Sequence, residues 1–340
     1  MITELDGLIA EATAETHEPV RQALASVQPI FILALPRSHS AVVCAMLGQH
    51  PQMYGFPETN LFCAPTMEKW REMCDTSRFH MADGLLRAAG QLLYGEQTEA
   101  SVKAAEGWLS RRSHFTTSLI FETLAEMTGG LVPVESSSTL VSRPAALLRI
   151  LQMFPLARFI HVVQHPRGFG EFLMKRIHEA AKQGPVPHWM LNLASLPGVS
   201  ASDDGTPHRE PGFDPQRAWY VLNVNACEFL KQVPDDQKVL LRVEDLSWEP
   251  LPTFGRIAGW LGLRTDQEAI EAMTHPERSP YACLGPPRAR FGNDSSFLLN
   301  PEFGLPPTEA QTLDGPLSWS PGAKEFLPKV SELARRFGYQ

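Results

Sequence analysis

Residues 30–47, IFILALPRSHSAVVCAML, combine a buried strand, a tight turn and the start of a helix. Residues 30–35 form a short apolar run, which is typical of a strand covered on both faces. Pro36 ends this run, and residues 41–47 return to apolar side chains that suit a helix. The stretch therefore predicts a strand that enters a helix through the turn at residues 36–40.

The turn at residues 36–40 carries side chains suited to an anion. A strand that enters a helix points unpaired backbone N–H groups and the positive end of the helix dipole at one place. Ser38 and Ser40 add hydroxyl donors, and Arg37 adds a planar guanidinium that matches phosphate or sulfate. His39 stands where a P-loop usually has glycine. An ordinary strand–turn–helix corner without a ligand is the alternative interpretation.

The composition limits the classes of function. The chain has 340 residues and 43% of them are hydrophobic, which is enough to bury a substantial core. A net charge of −8 argues against nucleic acid or an anionic membrane as a partner. No apolar stretch is long enough to span a bilayer, and the acidic N-terminus does not resemble a signal peptide. Five scattered cysteines without CxxC spacing are typical of reduced thiols, so we expect a cytoplasmic protein.

Strand and helix patterns alternate along the chain, which predicts a mainly parallel sheet flanked by helices. We expect an α/β fold, a P-loop-like three-layer sandwich, in a single domain over residues 1–340 with an N-terminal helical extension at residues 1–27. The predicted strands are residues 30–35, 131–134, 158–163 and 239–243. The predicted helices are one or two within residues 3–26, several within 67–127, one after the third strand through residue 176, and those at 143–154, 214–231, 252–261 and 321–337. Residues 184–212 are predicted to form a loop or lid, and residues 285–321 a second loop region.

Polar sequences follow all four predicted strands. They are PRSHS, ESSS, QHPR and VED, in chain order. Because ligands bind at the carboxyl ends of the strands in such sheets, one site can draw on all four sequences.

Several motifs, in this order, resemble those of the sulfotransferase superfamily. They are Pro36-Arg37-Ser38 after the first strand, then FPETNLF, ARFIHVVQHPR, LLRVEDL and FGNDSSFL. The resemblance covers roughly residues 28–340 and is closest to bacterial sulfotransferases that accompany polyketide and peptide assembly lines. Those enzymes transfer a sulfuryl group from PAPS (3′-phosphoadenosine 5′-phosphosulfate). The resemblance implies that Arg37, Ser38 and Ser40 hold the 5′-phosphosulfate group.

The chain departs from the family pattern at positions that usually contact the donor. His39 replaces a glycine of the first loop, and Ala41 replaces its last hydroxyl residue. Gln164 and Phe172 stand where the family usually has the arginine and the serine that hold the 3′-phosphate, and Ser136 stands in place of a lysine. A charge-assisted hydrogen bond is about twice as strong as a neutral one, so Gln164 and Ser136 hold a nucleotide less firmly.

Cations elsewhere in the chain are candidates to compensate for these losses. We expect Gln164 to remain a donor contact. Arg167 follows the third predicted strand, and Arg288 and Arg290 lie in the loop sequence GPPRARFGND. Each of the three arginines is predicted to reach the donor pocket.

Two residues are predicted to be catalytic, Glu58 and His39. Sulfuryl transfer requires positioning, stabilisation of charge on the transferred group, and a base for the acceptor's proton. Glu58 lies in a loop about 20 residues after the turn and is the predicted base. A histidine within an anion-binding turn is expected to favour its charged form, so His39 is predicted to stabilise an oxyanion or to act as an acid. The alternative role of His39 is to block the phosphate.

Other polar residues receive structural interpretations. His161, inside a strand pattern, is expected to be a hydrogen-bonded core histidine, and His165 and Glu244 are expected to be structural. Glu135 is expected either to line the site or to form an ion pair. The spacing of histidines predicts no metal site.

The predicted function is PAPS-dependent transfer of a sulfuryl group to a hydroxyl of a small molecule or of an acyl chain tethered to a carrier protein. A first alternative keeps the fold without PAPS and uses His39 and Glu58 for elimination, cyclisation or hydrolysis of a polyketide- or peptide-type intermediate. A second alternative is a non-catalytic protein that docks to a carrier protein through residues 184–212.

Overall fold

The computed structural model of the chain describes residues 28–76, 80–182, 213–302, 311–320 and 323–340, together with residues 193, 196 and 199. The helices predicted within residues 3–26 lie outside the described residues. The loop or lid predicted at residues 184–212 also lies outside them, apart from those three isolated positions.

Five parallel strands form one sheet. They are β1 (Ile30–Ala34), β2 (Met53–Gly55), β3 (Val132–Glu135), β4 (Arg158–Val163) and β5 (Lys238–Arg242). Their order across the sheet is β2-β3-β1-β4-β5, and each neighbouring pair is parallel. The predicted mainly parallel α/β fold is thereby confirmed, and β1 lies at its centre.

The strand β2 is absent from the sequence-based prediction. It has three residues and follows His50-Pro51, which indicates only the end of a helix. Three residues are too few to display the alternation that distinguishes a strand. The strand forms because Met53 and Gly55 find partners on β3, at Val132 and Val134.

Helices cover the sheet and extend beyond it. The described helices are α1 (Ser40–Leu47), α2 (Met67–Thr76), α3 (Asp83–Tyr94), α4 (Glu99–Ser110), α5 (Thr117–Glu126), α6 (Pro144–Met153), α7 (Pro166–Ala181), α8 (Pro215–Leu230), α9 (Val243–Trp248), α10 (Pro250–Leu261), α11 (Gln267–Ala272), α12 (Ser295–Leu299) and α13 (Pro328–Arg336). The last helix begins at Pro328 instead of residue 321. Residues 243–248 are helical where only a polar strand end was expected. None of these described helices has both the length and the apolar character needed to cross a membrane.

The side chains of β1 alternate between two hydrophobic clusters. Phe31 and Leu33 pack into the larger cluster, together with residues of α3, α5 and α8. Ile30 and Ile32 pack into the second cluster, with residues of α1 and α10. Because side chains of a strand point to opposite faces in turn, this division shows that helices cover both faces of the sheet.

A buried carboxylate ties the C-terminus to the strand ends. Glu244, on α9, accepts a hydrogen bond from the backbone N–H of His165 at 2.8 Å. Its other oxygen accepts one from the hydroxyl of Tyr339, also at 2.8 Å. The ring of Tyr339 lies edge-on against the ring of His165, with 5.0 Å between centroids. These contacts give Glu244 and His165 the structural roles expected of them.

Replacing Tyr339 by phenylalanine should therefore destabilise the fold. The substitution removes one donor from the buried Glu244 carboxylate, which typically costs about 1–3 kcal/mol. The free energy of unfolding, measured in urea, should fall by that amount. Tyr94→Phe is the matched control, because Tyr94 is 41% exposed and its change should stay within about 0.5 kcal/mol. Equal effects of the two substitutions would contradict the assignment.

Candidate active site

The turn between β1 and α1 has an unusual backbone. Arg37 and His39 both adopt left-handed conformations, with φ of 69° and 65°. The N–H of Ser38 donates to the carbonyl of Leu35 at 3.1 Å, and the Ser38 hydroxyl donates to the same carbonyl. Left-handed residues beside a turn curve the backbone so that successive N–H groups converge on one point.

Four N–H groups at the start of α1 are available to a ligand. The first turn of a helix has no internal acceptors for its N–H groups. Among the described residues, no backbone or side-chain acceptor is found for the N–H groups of residues 39–42. The hydroxyl-bearing residues Ser38 and Ser40 are buried on the same turn, 1% and 5% exposed. This arrangement matches a tetrahedral anion, and the roles of Arg37, Ser38 and Ser40 in holding one stay predictions.

His39 differs from the sequence-based expectation in its charge. Burial lowers the pKa of His39 below its ordinary value, and the nearby Asp294 carboxylate raises it by a smaller amount. Its ring packs against the ring of Phe172 on α7, with 5.9 Å between centroids. The prediction of a charged imidazole in the turn is therefore wrong, because desolvation outweighs the attraction of the single neighbouring carboxylate.

Asp294 is the main site residue that the sequence analysis missed. Its carboxylate forms an ion pair with the guanidinium of Arg37 and caps α12 by accepting from the N–H of Ser296 at 2.8 Å. Burial alone would raise the pKa of Asp294, but Arg37 and the Ser296 N–H bring it below its ordinary value. The Asp-Ser-Ser sequence predicts a helix cap, whereas a pairing across 257 positions leaves no local signal.

Glu58 lies in the loop after β2 and is half-buried. Burial raises the pKa of Glu58 to about 7. The Ser138 hydroxyl and the positive charge of Arg37 lower this pKa, whereas the carboxylates of Asp294 and Glu135 raise it. These interactions place Glu58 beside the Arg37–Asp294 pair, as the sequence analysis expected from its distance along the chain.

The backbone of Glu58 is held between two glycines. Its N–H donates to the carbonyl of Gly292 at 2.7 Å. On the other side, a Cβ atom on Gly84 would lie only 2.0 Å from the Glu58 carbonyl oxygen. A Cβ on Gly292 would meet the Cα of Gly84 at 2.6 Å, and Gly292 has a φ of 95°. Only glycine at both positions allows this close approach, which fixes where the Glu58 side chain begins.

Glu135, at the end of β3, is hydrogen-bonded to the loop that carries Glu58. Its fully buried carboxylate accepts hydrogen bonds from the Thr59 hydroxyl at 3.0 Å, from the Ser137 N–H at 2.9 Å and from the Ser137 hydroxyl. Ser137 in turn accepts from the N–H of Asn60 at 2.8 Å. Glu135 thus joins the end of β3 to the loop that carries Glu58, which is a structural role.

Gln164 follows β4, next to the turn after β1. Ala34 pairs with Val162, so Gln164 lies two residues beyond this pair, at the same edge of the sheet as Pro36. The side chain is 7% exposed, and its buried Oε1 atom has no hydrogen-bond partner. A buried amide oxygen without a partner is costly unless a ligand or water supplies a donor.

The predicted arginines are not gathered at this site. The guanidinium of Arg167 donates to the carbonyls of Thr312, Asp314 and Pro316 at 2.8–3.0 Å, which holds the segment of residues 311–320 against α7. Arg288 pairs with Glu99 and Glu106 of α4, both at 3.1 Å.

These partners already engage the guanidiniums of Arg167 and Arg288, and their predicted contact with the donor stays a prediction. Arg290 is exposed, with its guanidinium 6.0 Å from the centroid of the Phe291 ring. Its role stays a prediction.

Two other histidines are part of the core. The Nε2 atom of His161 lies 3.1 Å from the Oδ1 atom of Asn223, and burial lowers the pKa of His161 to about 4. Burial likewise lowers the pKa of His165 to about 4, with a smaller contribution from Arg167. In the described part of the chain, no group of three or more histidine, cysteine or carboxylate side chains is arranged to hold a metal ion.

The fold and the turn after β1 define a three-layer α/β protein of the P-loop-like type. The model of the sulfotransferase family matches residues 29–267, which is more than half of the chain. The chain therefore belongs to the sulfotransferase family.

Two solved structures share its fold over nearly their whole length. The sulfotransferase domain from the curacin biosynthetic pathway is 18% identical, with a TM-score of 0.65 over 92% of this chain and 98% of that chain. The sulfotransferase domain from the Synechococcus PCC 7002 olefin synthase is 22% identical, with a TM-score of 0.64 over 92% of this chain and 96% of that chain. No curated protein sequence matches this chain.

The raised pKa of Glu58 predicts a pH-dependent effect of Glu58→Gln on stability. The folded state keeps the proton up to about pH 7, whereas an unfolded glutamate loses it near its ordinary pKa. The wild type therefore loses stability as the pH rises through this interval, and a neutral glutamine does not. Urea unfolding should show the variant to be about 1–3 kcal/mol more stable at pH 8, with little difference at pH 4.

Glu332→Gln, on an exposed position of α13, is the control for removing one carboxylate. Its difference from wild type should be the same at both pH values. A Glu58→Gln variant whose stability relative to wild type does not change with pH would contradict the buried, protonated carboxyl.

The Arg37–Asp294 pair predicts that Asp294→Asn strengthens anion binding. Asparagine caps a helix as well as aspartate does, while the substitution removes a negative charge that lies beside Arg37. The dissociation constant for sulfate, measured by calorimetry, should fall about five- to thirty-fold, which corresponds to about 1–2 kcal/mol.

Asp266→Asn provides a matched control, because Asp266 also caps a helix and pairs with Arg264 at an exposed position. It should leave sulfate binding unchanged. Sulfate affinity that is equal or lower in Asp294→Asn would show that the pair does not oppose an anion at the turn.

Proposed function

We propose that the chain is an enzyme that transfers a sulfuryl group from a nucleotide phosphosulfate of the PAPS type to a hydroxyl acceptor. The observation that carries this proposal is the position of Glu58. A carboxyl with a pKa of about 7 lies beside the Arg37–Asp294 pair, at the edge of the sheet where β1 enters α1.

The turn at residues 36–42 supplies the donor groups that the transferred group requires. The N–H groups of residues 39–42 and the positive end of α1 favour a tetrahedral anion. The turn therefore fits the phosphosulfate end of a donor. When bound there, a nucleoside 5′-phosphosulfate would supply the sulfuryl group to the acceptor oxygen and leave as the nucleotide that carries the 5′-phosphate. The N–H groups and Arg37 stabilise the charge on that end without moving, because the backbone already holds them in place.

Glu58 takes the proton from the acceptor hydroxyl. A general base is most effective when its pKa is near the working pH, and burial gives Glu58 a pKa of about 7. Gly84 and Gly292 fix the backbone of Glu58, so the carboxyl needs no large rearrangement to meet the acceptor. The guanidinium of Arg37 lowers the pKa of Glu58, but it also pairs with Asp294. The negative charge of Asp294 raises the pKa of Glu58 and so offsets part of the effect of Arg37.

The proposed acceptor is a hydroxyl of a small molecule or of an acyl chain on a carrier protein. Support comes from the two structures of similar fold, which are sulfotransferase domains of the curacin pathway and of an olefin synthase. Both belong to systems that build natural products or hydrocarbons.

Acid–base chemistry without a sulfuryl donor is the second candidate function. It is favoured by the contacts of Arg167 and Arg288, because both guanidiniums are engaged by carbonyls or carboxylates of the protein. In this function, Glu58 removes a proton from an acyl intermediate, and the turn binds a sulfate or phosphate that is already part of the substrate. The enzyme then needs no nucleotide.

Glu58→Gln should abolish sulfuryl transfer while nucleotide binding persists. Radiolabelled PAPS and adenosine 5′-phosphosulfate, offered with hydroxylated small molecules and carrier-tethered hydroxyacyl chains, provide the assay. The loss of a general base typically lowers the rate about 10²–10⁴-fold. In the wild type, the rate should rise with pH and level off above about pH 7, because Glu58 must be ionised to accept the proton.

Glu122→Gln is the matched control. Burial also raises the pKa of Glu122 to about 7, but this residue lies on α5, and its rate should equal that of the wild type. Undiminished transfer in Glu58→Gln would remove this residue from the mechanism. Proton abstraction from an acyl substrate without any labelled product would favour the second candidate.

A further inference from the structure

The sheet order separates the two sides of the turn after β1. Glu58 follows β2 and is close to Ser138, which follows β3, so the base lies on the β2–β3 side. Gln164 follows β4, on the opposite side of β1. In an in-line transfer, the acceptor and the leaving group lie on opposite sides of the transferred group. The leaving nucleotide therefore lies over the carboxyl end of β4.

The side-chain amides of Gln164 and Gln311 both lie beside Gly168, at the carboxyl end of β4. A Cβ atom on Gly168 would lie 3.3 Å from the Nε2 atom of Gln164 and 2.7 Å from the Oε1 atom of Gln311. The Oε1 atoms of both glutamines are buried and have no hydrogen-bond partner. The amide oxygens accept hydrogen bonds from hydroxyl or amino groups, and the amide NH2 groups offer a phosphate only neutral donors.

The wall beside these amides is apolar and neutral. Phe172 lies on α7, less than two turns after Gly168, and its ring packs against the ring of His39. Burial keeps the pKa of His39 below its ordinary value, so this ring adds no positive charge near pH 7. The aromatic pair thus borders the same side of the turn without a charged donor.

The nearest described cation on α7 is already bound. Arg167 precedes Gly168, and its guanidinium donates to carbonyls of the segment 311–320. Turning it toward the amides would leave the carbonyls of Thr312, Asp314 and Pro316 without this donor. A phosphate placed between neutral amides and an aromatic ring is desolvated without a charge-assisted hydrogen bond, which is unfavourable.

We infer that the part of the donor over the carboxyl end of β4 is neutral and hydrogen-bonding, so that the donor is a nucleoside 5′-phosphosulfate without a phosphate on its ribose. The inference rests on the proposed function and names its donor. In the transfer, the acceptor oxygen forms a bond to sulfur and its proton goes to Glu58. The bond between sulfur and the bridging oxygen breaks, and its electron pair leaves with the nucleoside 5′-phosphate.

Calorimetry with two nucleotides tests this inference on the unmodified chain. Adenosine 5′-phosphate and adenosine 3′,5′-bisphosphate differ by one phosphate, and both are titrated at the same ionic strength. The bisphosphate should bind no more than threefold more tightly than the monophosphate, and weaker binding of the bisphosphate also supports the inference, because its added phosphate gains no charged donor. A bisphosphate that binds more than threefold more tightly overturns the inference and leaves the proposed function intact. If neither nucleotide binds at millimolar concentration, the proposed function itself fails, and this inference with it.

A charge introduced at residue 164 tests the location. Gln164→Arg should tighten binding of the bisphosphate about tenfold and change binding of the monophosphate less than twofold, because a charged donor replaces a neutral one. Gln237→Arg is the matched control. Gln237 immediately precedes β5 and therefore lies at the amino ends of the strands, whereas Gln164 follows the carboxyl end of β4. Its effect on both nucleotides should be less than twofold. Equal effects of Gln164→Arg and Gln237→Arg would show that the ribose does not lie beside residue 164.

Discussion

The site depends on a close approach of backbones at one edge of the sheet. The turn after β1 has two left-handed residues, and the loop after β2 passes between Gly84 and Gly292. The loop after β2 has little room for adjustment, because the atoms nearest to Gly84 and Gly292 are backbone atoms. The converging N–H groups and the carboxyl of Glu58 are therefore held in a fixed relation before any ligand binds, as electrostatic preorganisation requires.

The balance of charge at this edge is unusual for a site that holds an anion. The described carboxylates near the turn are Glu58, Glu135 and Asp294, and Arg37 is paired with one of them. Burial is the main cause of the raised pKa of Glu58, and the carboxylates of Asp294 and Glu135 raise it further. The excess of carboxylates also means that binding of an anion depends on backbone N–H groups more than on side-chain cations, which is consistent with the uncharged surroundings of Gln164 and Phe172.

The sequence predicted the elements with strong local patterns. The four longer strands have bounds within one residue of those predicted, because each contains apolar residues and is followed by polar ones. Asp214 caps α8, and Gly262 ends α10 with a φ of 72°, as expected from their positions. The strand β2 and the helix α9 were missed because tertiary pairing, and not a local pattern, produces them.

The site was less predictable than the fold. The position of Glu58 in a loop was inferred from its distance of about 20 residues after the turn and not from a strand end, because β2 was not predicted. The Arg37–Asp294 pair joins distant parts of the chain, and the carbonyl partners of Arg167 lie in a segment without regular structure. The charge of His39 depends on burial, which a sequence does not display.

The most direct test of this account is a nuclear magnetic resonance titration of the Glu58 carboxyl carbon, with and without sulfate. The account predicts a midpoint near pH 7 without sulfate and a higher midpoint when sulfate is bound, because a nearby anion disfavours the ionised carboxylate. A midpoint near the ordinary glutamate value, or one that sulfate does not change, would contradict the juxtaposition of base and anion on which the account rests.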